Sequence, residues 1–191
     1  MKKFALIALS LVCIGHISLF AQEVEWSAKA GLNFSTLGKV DANFQPKIGY
    51  HAGVAAEFIT TPYFSVQPEL VYSLQGATID QTQGVYQNYH YLNVPLVFKI
   101  YFYEDASFDI GAQYGYLLKA AYKDDLGSIN RTDDVNRHDF ALVFGFSYKL
   151  NEKFLFNLRY NMGLSNTGDV IIAFEQRVTN KTLQLTAAYI F

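Results

Sequence analysis

Apolar residues recur at every second position over eight separate segments of the chain. In the last, Leu183, Leu185, Ala187, Tyr189 and Phe191 alternate with Thr182, Gln184, Thr186, Ala188 and Ile190. In the fifth, Phe108, Ile110, Ala112, Tyr114 and Tyr116 alternate with Asp109, Gly111, Gln113, Gly115 and Leu117. The same period sets in from Trp26, Tyr50, Phe64, Leu92, Phe140 and Phe154. Successive strand side chains point to opposite faces, so each segment predicts a strand with one apolar face and one face of small or polar residues. The expected length is the roughly 9–11 residues of a tilted membrane strand. Connections alternate as well. Residues 60–63, 103–106 and 151–153 are short and carry Pro62, Asp105 and Asn151; residues 35–47, 77–88, 122–137 and 166–179 are longer and polar. Short turns at one end and long loops at the other predict an all-β fold, an eight-stranded antiparallel up-and-down transmembrane β-barrel.

A soluble barrel alternates too, with its apolar side chains inward. Here the second face is rich in Gly, Ala and Ser and would make a poor exterior in water, but it fits a lumen just wide enough for side chains to fill. That face also carries Lys29, Lys99, Lys149 and Arg159 against Glu57, Glu69 and Asp109. Buried charges need partners, so these seven residues are expected to form a lumen network of ion pairs, with the pairing left open. A proton or ion path is the alternative use of the same residues.

Aromatic residues are 16% of the chain. On the apolar faces Phe34, Tyr50, Tyr72, Tyr116, Phe140 and Tyr160 fall toward the long loops, and Trp26, Phe58, Phe64, Phe102, Phe108, Tyr148, Tyr189 and Phe191 toward the short turns. Two such belts are expected at the two membrane interfaces. Pro68 and Pro95 fall within strands; lacking a backbone donor, they predict bulges or locally missing bonds.

Residues 1–21 read as a targeting segment: Lys2 and Lys3, then an apolar core from Phe4 to Ile14, then Ala21 before the expected cut. Cys13, the single cysteine, follows Val12 and lies inside that segment, so residues 22–191 would form one cysteine-free domain without disulfides or thiolate metal sites. With Lys2 and Lys3 removed from the 15 basic residues, 13 face 17 acidic ones, a formal charge of −4. That balance argues against a nucleic-acid partner. No later stretch is long and apolar enough for a spanning helix.

The sequence resembles the PorT-type, OmpA-like outer-membrane β-barrel proteins of Bacteroidota. The resemblance rests on Gly31-Leu32-Asn33, on the run from Tyr91 through Asn93, Pro95 and Phe98 to Lys99, on Gly111 and Gly115, and on Arg159-Tyr160-Asn161-Met162-Gly163-Leu164. It implies a barrel in the bacterial outer membrane, surrounded by outer-membrane lipid; the alternation of short turns and long loops then puts both termini at the short-turn, periplasmic end and the long loops outside the cell. It also implies that Leu183, Leu185, Tyr189 and Phe191 act as an assembly signal read by the barrel assembly machinery, a form of strand addition. The family's namesake is linked to protein secretion, so an accessory role in secretion is one implied function.

Catalytic motifs are not legible. His51, His90 and His138 fall in different segments without ligand spacing, and no phosphate loop or serine elbow occurs. Asp124, Asp125, Asp133 and Asp134 cluster in one long loop, but not at the spacing of a known calcium loop. A lipid-hydrolase reading would have to join His138 to Ser128 or Ser165. The expectation is a non-enzymatic structural or binding protein without cofactor or metal, its long loops meeting an unidentified extracellular ligand or envelope partner; a narrow pore for ions or small solutes is the alternative.

Overall fold

The computed structural model describes residues 23–38, 45–80, 85–124, 127–130, 132, 135–165 and 179–191; the expected targeting segment lies outside them. The strands are β1 (Glu23–Gly38), β2 (Gln45–Thr61), β3 (Phe64–Asp80), β4 (Val85–Tyr103), β5 (Ala106–Asp124), β6 (Gly127–Asn130), β7 (His138–Lys149), β8 (Phe154–Gly163) and β9 (Thr179–Ile190). Each barrel strand pairs antiparallel with its neighbours, and the β4–β5 and β1–β9 ladders close the sheet. Eight strands form the wall, as the alternation predicts. The short β6 is an extra, pairing with β5 beyond the end of the β5–β7 ladder.

The pairing can be followed once around the wall. Val24 faces Phe58, then Val66, Phe98, Ile110, Phe144, Tyr160 and Leu183, which faces Phe34. The circuit returns to β1 ten residues further along, the stagger that accompanies strand tilt in a closed barrel. Every residue on it is apolar or aromatic, so the circuit traces a continuous band outside. Trp26, Leu32, Val54 and Phe140 are 57%, 48%, 48% and 53% exposed, while Asn33, Ser65 and Ser107 are fully buried. The barrel is therefore apolar outside and polar inside, which excludes a lipocalin-like orientation.

Strand length departs from expectation. The strands β1 to β5 run 16, 17, 17, 19 and 19 residues, whereas β7 to β9 run 12, 10 and 12. Residues 35–38, 45–47, 77–80, 85–88 and 122–124, read as loop, continue the ladders. Beyond the apolar band both faces of a strand meet polar surroundings, so pairing continues while the two-residue hydrophobic signal fades.

Both prolines interrupt pairing without changing register. Between Pro68↔Leu96 and Val71↔Asn93 the β3–β4 ladder skips two positions, one of them Pro95; between Ala55↔Glu69 and Phe58↔Val66 the β2–β3 ladder skips two, one of them Pro68. A strand residue directs its N–H toward one neighbour only. Accordingly Pro95 keeps its pairing with Gln113, and Pro68 keeps its pairing with Leu96. A true bulge occurs in β5, where Tyr91 pairs with Leu117 but His90 with Lys119, leaving Leu118 as the extra residue.

Candidate functional site in the lumen and at its rim

The inward faces stack their polar residues in layers. At the centre, Glu69 of β3 accepts from Lys29 Nζ of β1 at 2.6 Å and from Arg159 Nη1 of β8 at 2.6 Å. The same guanidinium reaches Asp109 of β5 through Nη2 at 3.1 Å and Nε at 3.2 Å. Asp109 also accepts from Ser147 Oγ at 2.8 Å, Asn157 Nδ2 at 2.9 Å and Ser107 Oγ at 3.2 Å, and Gln67 donates to Glu69. Arginine suits this place because its planar fork serves two carboxylates at once. The group is neutral and its members bond one another, the condition under which charges tolerate burial.

Toward the short turns, Glu57 accepts from Lys99 Nζ at 2.6 Å, from Ser65 Oγ at 2.6 Å and from the Tyr101 hydroxyl. Nearer that end Lys149 Nζ lies 2.8 Å from Glu25. The structure thus brings Lys29, Glu69, Asp109 and Arg159 into one cluster, with Glu57–Lys99 and Lys149–Glu25 as separate pairs. Glu25 was missed, although it shares the inward parity of Ser27 and Lys29, a signal that was available. A void bounded by Lys29, Glu57, Gln67, Asn157 and Arg159 has a volume of about 10 Å³, room for about one water molecule.

Above the cluster sits an uncharged layer. His51 bonds Asn33 Oδ1 through Nδ1 at 2.8 Å and Thr186 Oγ1 through Nε2 at 2.9 Å. Asn33 Nδ2 donates to Ser73 Oγ and to the Leu74 carbonyl, both at 2.9 Å, and its Oδ1 accepts from Gln184. Both ring nitrogens of His51 are therefore engaged by protein. Toward the long loops Tyr89, Tyr91, Leu117, Ala77 and Ala120 form a buried apolar cluster, joined by Val135 from the segment before β7.

The other two histidines are on the outside, near the long-loop rim. Tyr72 OH lies 2.6 Å from His90 Nδ1, and Tyr114 OH 2.7 Å from His138 Nδ1. The Ser165 hydroxyl accepts the Phe140 N–H at 2.8 Å, so it and His138 are engaged with different partners. The side chains of Ser128, Asp124, Asp125, Asp133 and Asp134 lie outside the described residues. Among the described residues no group of histidines, cysteines and carboxylates is placed to hold a metal. Leu183, Leu185, Tyr189 and Phe191 line the outward face at the β1–β9 seam, where Phe191 N donates to the Trp26 carbonyl at 2.9 Å.

This geometry, an inside-out barrel with a filled core, agrees with a family model. The outer membrane protein beta-barrel domain matches residues 20–169. The chain belongs to that family. As one of these barrels it is a bacterial outer-membrane protein, set in the membrane lipid. Solved structures share the fold. Ail, the attachment invasion locus protein of Yersinia pestis, superposes with a TM-score of 0.57 at 18% identity, over 88% of this chain and 99% of its own. Ail in complex with the heparin analogue sucrose octasulfate gives 0.53 at 20%, with the same coverage. Neisserial surface protein A gives 0.62 at 8%, again over 88% and 99%. At such identities the likeness is one of fold. No curated protein is similar enough to count as a match.

Proposed function

We propose that this outer-membrane barrel is a non-conducting, non-enzymatic binding scaffold, its long-loop end presented outside the cell. The observation that carries this reading is the state of the lumen. Four cations, Lys29, Lys99, Lys149 and Arg159, are each bonded to a carboxylate among Glu25, Glu57, Glu69 and Asp109, and the apolar cluster around Tyr89, Tyr91 and Leu117 lies between them and the long loops. An ion entering would have to break buried pairs that hold one another, and a filled eight-stranded lumen leaves no aqueous path. A rigid wall with connecting segments at one end is the usual way to position binding residues.

Residues 1–21 are read as a cleaved leader. An even number of strands puts both ends of the barrel on one side, read as the periplasm. Leu183, Leu185, Tyr189 and Phe191, on the strand that closes the ring, are read as the segment recognised by the barrel assembly machinery. Purified, refolded protein in planar bilayers tests the central point. A flat current trace is expected; regular single-channel steps would overturn it in favour of a narrow pore.

A further inference from the structure

Among the strand residues whose side chains are described, no carboxylate stands at an outward position; Glu25, Glu57, Glu69, Asp109 and Asp139 all take inward positions. Basic side chains stand at outward positions near the long-loop rim, Lys181 on β9 among them. His90 on β4, Lys119 on β5 and His138 on β7 occupy three consecutive strands, with exposed Arg137 just before His138.

Two features hold this group in place. The first is the bulge at Leu118. Unbroken alternation would send Lys119 into the lumen after Asp109, Gln113 and Leu117. The extra residue leaves Leu117 fully buried and turns Lys119 outward, opposite His90, and re-aiming a side chain is a recognised use of a bulge. The second is the pair of tyrosine–histidine contacts. Tyr72 and Tyr114 each engage a histidine through Nδ1, which orients the ring and leaves Nε2 for an outside partner.

The height identifies that partner. Tyr72 and Tyr116 belong to the aromatic belt, and belt tyrosines sit where hydrocarbon gives way to headgroups. His90 lies two residues beyond Leu92 and Lys119 three beyond Tyr116, so at about 3.3 Å per residue both stand roughly 7–10 Å further along their strands. That is headgroup level. A phosphate there accepts charge-assisted bonds from an ammonium and from imidazoles, and no described carboxylate competes on this face.

We propose that this sector of the wall binds the phosphate headgroup of an anionic lipid, held by Lys119, His90 and His138. Assignment to the outer leaflet rests on the orientation proposed above; the site itself does not. The test uses the full chain in phosphatidylcholine nanodiscs with a minor fraction of diphosphoryl lipid A in both leaflets, so that orientation plays no part. Lipid retained on the barrel is counted by native mass spectrometry, and folding of each variant is checked by heat-modifiable gel mobility. Wild type is expected to retain lipid A, and Lys119→Ala to retain about five-fold less, the effect of about 1 kcal/mol per cation near a charged surface. Adding His90→Ala and His138→Ala deepens the loss, Lys119→Arg restores binding, and Lys153→Ala at the opposite end changes nothing. Should Lys119→Ala fail to fold, Lys119→Gln, which keeps part of the stem, takes its place. Equal retention by the triple variant, or equal retention of lipid A stripped of its phosphates, would overturn the site. Displacement of lipid A by sucrose octasulfate in the same discs would assign the patch to soluble polyanions and overturn the lipid assignment.

Discussion

Gly145 packs against Arg159. A β-carbon on Gly145 would stand 2.6 Å from Arg159 Cγ and 2.9 Å from the Leu158 carbonyl oxygen. The two residues face each other across the β7–β8 ladder, so the missing side chain is the space through which the arginine stem turns toward Glu69 and Asp109. Gly145→Ala should therefore destabilise the barrel by about 1–3 kcal/mol through overpacking. The check is the urea midpoint at which heat-modifiable mobility is lost; an unchanged midpoint would mean that the arginine can move aside without cost.

Arg159 is the group Glu69 and Asp109 share. In Arg159→Met the two carboxylates keep only Lys29 between them, and removal of one partner from a buried ion cluster costs about 3–5 kcal/mol. Adding Asp109→Leu leaves Lys29 and Glu69 as a balanced pair, so the double variant should recover much of the loss. Urea titrations of the two single variants and the double one measure the coupling, and strictly additive losses would count against the shared-charge account.

The chain has a single tryptophan, Trp26, exposed on the outward face of β1. In vesicles its fluorescence should be quenched more strongly by lipids brominated near the headgroup than by lipids brominated at the chain end, because Trp26 belongs to the belt at the short-turn end. Iodide in the aqueous phase should quench it weakly. Strong quenching by iodide with little quenching by either brominated lipid would place the apolar face away from lipid.

Phe191 follows the strand that closes the ring. If its part is recognition during assembly, Phe191→Ala should fold normally from urea into detergent micelles yet accumulate several-fold less in the outer membrane of cells. Matched losses in both assays would reassign Phe191 to ordinary packing.

The wall was legible because lipid outside and a crowded lumen inside impose opposite chemistry on alternate residues: Leu183 against Gln184, or Phe108 against Asp109. The ends of the wall were not, since at Ser35 or Gln87 pairing continues after that contrast has lapsed. Parity placed the charges inside but left their partners open. Lys29 on β1 meets Glu69 on β3 and Arg159 on β8 only through barrel closure, which no local pattern records. The outward turn of Lys119 was hidden for a related reason. One extra residue reverses the parity of all that follows, and Leu118 looks like any other leucine.

The ten-residue offset of the circuit from Val24 to Phe34 is a property of the whole ring, so no single strand can alter it alone. An inserted residue in a central strand position must either be absorbed on the spot, as Leu118 is, or shift the pairing of every later strand and spoil the closing seam between β1 and β9. Length variation should therefore be tolerated in the connecting segments and near the long-loop ends of β1 to β5, and rejected in the apolar band. A deep insertion scan should find the band nearly empty of survivors. Where one survives within the band, the residues just beyond it should exchange their lipid-facing and lumen-facing roles for a few positions only.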